Sequence, residues 1–174
     1  MAAALLAGCG SKTDTDTFRF ASELDIQGMD STVVDDGMSY NAIHAITDGL
    51  TAVNEKGKTA PAIAKSWDVS DDGKTYTFHL RDAKWSNGDK VTANDFVYSW
   101  RKIIKNAGNY AYMLGSGGAS VKNADALMEL GANATDEQMA TLGVTAKDDQ
   151  TLVVELENKV PYFTDLMAFP CYFP

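Results

Sequence analysis

Apolar and polar positions change period several times along the 174 residues, and each change marks an element. Phe18-Arg19-Phe20-Ala21 alternates and predicts a strand. Ser31 to Gly37 is a loop by its Ser, Asp and Gly content. From Ser39 the apolar residues Ile43, Ile46 and Leu50 recur at helical spacing, with Gly49 near the end. Leu50 to Val53 suits a strand closed by a turn at Asn54-Glu55-Lys56-Gly57. Trp67 and Val69 then alternate with Asp68 and Ser70. Asp71-Asp72-Gly73-Lys74 supplies turn chemistry, and Tyr76, Phe78 and Leu80 alternate with Thr77, His79 and Arg81. This predicts a β-hairpin whose apolar face carries Trp67, Tyr76 and Phe78. Val144 to Leu156 repeats the arrangement around Asp148-Asp149-Gln150.

Between the two hairpins the period becomes helical. Thr92 is placed to cap a helix and Asp95 to close a capping box. Phe96, Val97, Trp100, Ile103 and Ile104 form one apolar stripe, and Asn106-Ala107-Gly108 stops the helix. Ala124 to Leu130 and Asp136 to Leu142 predict two shorter helices, the second capped by Thr135. Pro161 to Met167 predicts a last helix, with proline tolerated in its first turn.

Composition adds boundaries. A chain of 174 residues is long enough for about one domain with a sizeable core. Its net charge of −9 argues against a nucleic-acid or polybasic-membrane partner. His44 and His79, the two histidines, have no cysteine or acid at ligand spacing, so no metal site is expected. There is no H-E-x-x-H, C-x-x-C or G-x-S-x-G. Gly115-Ser116-Gly117-Gly118 lacks the Gly-Lys-Ser/Thr of a phosphate loop and reads as a turn. Asp35-Asp36 and Asp71-Asp72 are adjacent acids, read as solvated loop positions. Tyr110 and Tyr112 lie in a loop after the long helix, as binding contacts or as packing on the helix end. Neither catalysis nor a cofactor is expected from these residues.

Leu6-Ala7-Gly8-Cys9 resembles the lipobox of bacterial lipoproteins, in which the cysteine is lipidated and becomes the new N-terminus. Residues 1–9 are therefore read as the end of a secretory signal without its basic front, and residues 10–17 as a flexible tether. Cys9 is the expected lipidation site, which leaves Cys171 single and no intrachain disulfide available. The apolar start is shorter than the roughly 20 residues that span a bilayer. The apolar ending Pro170-Cys171-Tyr172-Phe173-Pro174 is read as a truncation.

Residues 64–101, AKSWDVSDDGKTYTFHLRDAKWSNGDKVTANDFVYSWR, resemble the signature of the periplasmic oligopeptide-binding family, the extracellular solute-binding proteins of peptide ABC importers. The resemblance rests on Tyr76-x-Phe78-x-Leu80-Arg81, Trp85-Ser86-x-Gly88 and Val91-Thr92-Ala93-x-Asp95-Phe96-Val97-x-Ser99-Trp100. Leu50 to Pro61 and Val160-Pro161-Tyr162-Phe163 extend it. It implies an α/β fold, the N-terminal part of a two-lobed, type II periplasmic-binding-protein-like architecture. Residues 18–48 would begin ligand-binding lobe one, and residues 49–174 would form the α+β extra lobe of the family.

The family holds its peptide as an added strand between lobes. The resemblance carries ligand contacts to Asp35, Gly37 and Tyr110, with Tyr112 as a substitute for the last. It implies an oligopeptide ligand, permease subunits of an ABC transporter as partners, a monomer, and a lipid-anchored, extracytoplasmic location. The competing readings are a binder of another solute (dipeptide, nickel chelate, haem or oligosaccharide), a secreted hydrolase, and a peptide-sensing surface lipoprotein.

Overall fold

A computed structural model describes residues 21–174. Cys9, the tether and all but the last residue of the expected first strand lie outside the described residues. Helix α1 spans Gly37–Ile46, followed by β1 (Thr51–Val53), β2 (Thr59–Pro61), β3 (Ala64–Val69) and β4 (Thr75–Leu80). Helix α2 (Ala93–Lys105), α3 (Ala124–Leu130) and α4 (Asp136–Met139) precede β5 (Val144–Asp148), β6 (Thr151–Glu155) and α5 (Phe163–Leu166).

Both predicted hairpins form, and they make a single antiparallel sheet in the order β3-β4-β6-β5. The seam is β4 against β6, with Tyr76 opposite Val154 and Phe78 opposite Leu152. Alternate residues Tyr76, Phe78 and Leu80 of β4 are buried, as the period of two requires. On the edge strand β3, Trp67 packs at 6.2 Å from Phe78, whereas Val69 is exposed. Gly73 holds φ +71° in the first hairpin turn, a conformation that a side chain at Cβ disfavours. β1 and β2 form a separate two-stranded ladder.

α2 lies against this sheet and completes the main core. The capping box is present: Asp95 Oδ2 accepts from the Thr92 amide at 2.6 Å. Phe96, Trp100, Ile103 and Ile104 are fully buried with Phe78, Leu80, Leu152 and Phe163. Trp100 donates from Nε1 to the Tyr172 carbonyl at 3.0 Å, and Ser99 donates from Oγ to the Phe173 carbonyl at 2.6 Å. The C-terminal residues 170–174 are thus the lid of the core, which accounts for their apolar character.

Three helices are shorter than their periodicity suggests. α1 ends at Ile46 because Thr47 turns extended, which leaves Ile46 72% exposed and places Leu50 in the core from outside the helix. α4 stops at Met139, where residues 140–143 turn into β5. α5 begins at Phe163, after a turn at Pro161-Tyr162. A smaller apolar cluster joins Val34, Tyr40 and Ile43 to Phe173, with Tyr110 and Phe169 shared between it and the main core.

Candidate functional site

The loop before α1 is a folded turn. Asp30 accepts from the Thr32 amide at 3.0 Å, from Thr32 Oγ1 at 2.6 Å and from Lys102 Nζ of α2 at 2.6 Å. Burial raises the Asp30 pKa, but the Lys102 ammonium and the two Thr32 donors outweigh it and hold the carboxyl below its ordinary value. Val33 and Val34 amides return to the Asp30 carbonyl, and Tyr40 donates its hydroxyl to the Val34 carbonyl at 2.9 Å. Asp36 caps α1 by accepting from the Ser39 amide at 2.8 Å.

A second loop, residues 106–112, meets the first. A Cβ on Gly108 would stand 2.2 Å from the Thr32 carbonyl oxygen, so the two backbones touch where only glycine fits. Asn109 Nδ2 donates to Asp35 Oδ2 across the junction. Tyr110 stands edge-on to Tyr40, with ring centres 5.2 Å apart, and 5.4 Å from Phe169. Tyr112 stacks on Tyr110 at 6.1 Å and keeps 51% of its surface exposed.

The structure therefore brings Asp35, Gly37 and Tyr110 to one edge of the molecule. Asp35 is exposed, and Gly37 is the exposed first residue of α1 with open space beside it. Tyr110 is half-buried: it packs against Tyr40 of α1 and Phe169 and keeps part of its surface exposed. Asn109, Tyr40, Phe169 and the Asp30–Lys102 pair complete the junction and were not singled out from the sequence. Their signal is tertiary: Asp35 and Asn109 are far apart along the chain. Gly108 read locally as a helix stop, and its close approach to Thr32 has no sequence mark.

Chemically, the junction offers a carboxylate, exposed backbone and aromatic faces. Burial pushes the Tyr40 hydroxyl well above its ordinary pKa, so it stays a neutral donor. Burial likewise raises the Cys171 thiol, which favours the unreactive thiol form. Among the described residues no three His, Cys, Asp or Glu side chains are grouped to hold a metal. No described helix is long and apolar enough to cross a membrane. A concavity of about 1130 Å³ lies elsewhere, lined by Arg81, Lys84 and Lys90 together with Asp82, Asp148 and Asp149. Its opposite charges are interleaved and its Val91 wall is buried, so it presents neither a charged nor an apolar face.

Comparison with known proteins places the fold. Residues 58–174 match the model of bacterial extracellular solute-binding proteins, family 5 Middle. The chain is 41% identical over 174 residues to a dipeptide-binding protein of Lactococcus lactis, covering 98% of this chain and 30% of that protein. It superposes on the substrate-binding domain of an oligopeptide ABC transporter from Bacillus anthracis with a TM-score of 0.81 and 40% identity, covering 89% of this chain and 29% of that one. Listeria monocytogenes OppA bound to peptide gives a TM-score of 0.74 at 39% identity, covering 84% and 28%. The chain spans about 30% of the length of the relatives it matches. Its mixed helix and strand architecture is part of the two-lobed, type II periplasmic peptide-binding fold. The relatives are solute-binding proteins that work outside the cytoplasm. By family model, sequence and fold together, the chain belongs to the bacterial extracellular solute-binding proteins, family 5.

Proposed function

We propose that this chain belongs to the substrate-binding component of a peptide ABC importer, which captures oligopeptides outside the membrane and delivers them to the permease. The observation that carries this reading is the close likeness, in sequence and fold, to binding proteins named for dipeptides and oligopeptides. The role is binding rather than catalysis, a reading supported by relatives named as binding proteins. Residues 18–48 belong to lobe one and residues 49–174 to the extra lobe. Asp35 and the Gly37 backbone face one side of the ligand and Tyr110 lines the same edge, with Tyr112 beside it. Backbone bonds to an extended peptide give affinity, while side chains of varied size are left room. Cys9 carries the lipid anchor, and the protein works as a monomer.

Titration calorimetry of the full-length gene product tests the reading. Peptides of mixed sequence should bind, whereas oligosaccharides, a nickel chelate and haem should give no heat. Asp35→Ala should weaken peptide binding without abolishing folding, because the side chain is exposed. Binding of a sugar, chelate or haem in place of peptide would overturn the proposed ligand class. An unchanged peptide affinity in Asp35→Ala would remove that residue from the site. Cys9→Ala should move the protein from the membrane to the soluble fraction, and unchanged membrane retention would refute the anchor.

A further inference from the structure

At the end of α2 the glycine stands one residue away from where the helix cap asks for it. The Ala107 amide donates to the Ile104 carbonyl at 3.1 Å, and the Gly108 amide to the Ile103 carbonyl at 3.2 Å. These are the two bonds of a Schellman motif, in which the left-handed residue just past the C-cap is usually glycine. Here that residue is Ala107, at φ +47°, a conformation that its Cβ disfavours. Gly108 comes next, and its φ lies outside the left-handed region, so its own φ does not require glycine.

What requires glycine at 108 is the neighbouring loop. A Cβ there would meet the Thr32 carbonyl oxygen at 2.2 Å and Ile103 Cγ1 at 3.2 Å. The first approach is far inside van der Waals contact, and a backbone carbonyl cannot swing aside as the tip of a long side chain can. Thr32 is also buried and tethered. Its amide and hydroxyl both donate to Asp30, which in turn accepts from Lys102 of α2 at 2.6 Å. Beside Gly108, Asn109 donates to Asp35. The junction is therefore made wholly within this chain, between the loops that carry Asp35 and Tyr110. Strain stays at Ala107, while the adjacent glycine serves the close approach.

Resting on the peptide-binding role, we propose that the end of α2 positions the ligand loop, with Gly108 as the positioning residue and Lys102 as a second tie. Glycine lets loop 106–112 close onto loop 30–37, which sets the spacing of Tyr110 from Asp35 and from the Gly37 backbone. A side chain at 108 pushes the loops apart, and a ligand that meets both at once then finds only one in register. Groups that hold a ligand must stay within about 0.5 Å of their productive geometry. Gly108 acts through its neighbours and touches no ligand itself.

The test uses the full-length gene product and the oligopeptide that binds it most tightly from a pool of mixed sequence, titrated by calorimetry. Gly108→Ala should weaken binding about tenfold or more. Ala107→Gly should raise the melting temperature of the unliganded protein and leave the affinity unchanged. The double variant Ala107→Gly/Gly108→Ala separates the two roles. It gives the cap its glycine yet keeps the obstruction, so it should bind as weakly as Gly108→Ala. Recovery of the parent affinity in the double variant would show that glycine serves the cap alone and would overturn the proposal. An unchanged affinity in folded Gly108→Ala would do the same. Melting curves check folding. If neither alanine variant folds, Lys102→Met loosens the same loop without a clash; it should weaken binding about threefold, and Lys102→Arg should restore it. Parent affinity in Lys102→Met would then overturn the proposal. A parent protein that binds no peptide would strike the peptide role and the proposal with it, whereas a binding parent with unaffected variants strikes the proposal alone.

Discussion

Trp100 concentrates several roles in one side chain. It is fully buried, packs edge-on against Tyr172 with ring centres 5.7 Å apart, and donates to the Tyr172 carbonyl. Truncation to alanine opens a cavity and also leaves that carbonyl without its donor. Trp100→Ala should therefore lower stability by about 3–5 kcal/mol, measured by urea unfolding; a loss under ~1 kcal/mol would contradict the packing. Asp30 makes a prediction about pH. Its folded-state pKa lies below the ordinary carboxylate value of about 3.9. The folded state binds fewer protons in that window, so the contribution is complete above about pH 4 and is lost as pH falls through the folded-state pKa. Asp30→Asn should flatten the fall in stability between about pH 4 and pH 2; an unchanged acid limb would show that the Lys102 and Thr32 bonds do not matter. Burial of Trp100 was legible from its helical stripe. Its bond to the Tyr172 carbonyl was not, because nothing local in Trp100 or Tyr172 specifies the other.

Among the elements, α2 and the two hairpins were readable because each is specified locally, by a capping box, a period or a turn. Their union in one sheet was not readable, because β4 and β6 pair across more than seventy residues without any local signal. α1 shows the opposite failure. Leu50 continues the helical period but lies beyond α1, which ends at Ile46, so spacing alone overstated the helix. The seam between hairpins predicts shared stability. Leu152 is fully buried opposite Phe78. Leu152→Ala should cost about 2–5 kcal/mol and should raise amide exchange in both hairpins together. Faster exchange in β5 and β6 alone would show that the hairpins are stabilised independently.

At the scale of the whole molecule, family membership was legible because the signature at 64–101 runs through β3, β4 and α2, elements that share one core. The proposed ligand edge was put forward from the resemblance alone; Asn109, Tyr40 and Gly108, which bring its two loops together, carry no such mark. In the proposed reading the chain would present only one face to a ligand that two lobes enclose. Residues 10–174 alone should therefore not bind peptide measurably in calorimetry. The loss of translational and rotational freedom, about 4–15 kcal/mol, is unchanged while most of the burial is missing; micromolar binding by this piece would refute the two-lobe account. The central claim, that the junction of loops 30–37 and 106–112 holds one side of an oligopeptide, is tested most directly by hydrogen exchange of the full-length gene product with and without saturating peptide. The account predicts slower amide exchange at residues 30–37 and 108–112, and unchanged exchange in the distant hairpin turn at residues 71–74. Peptide that binds tightly while leaving both loops unprotected would contradict it.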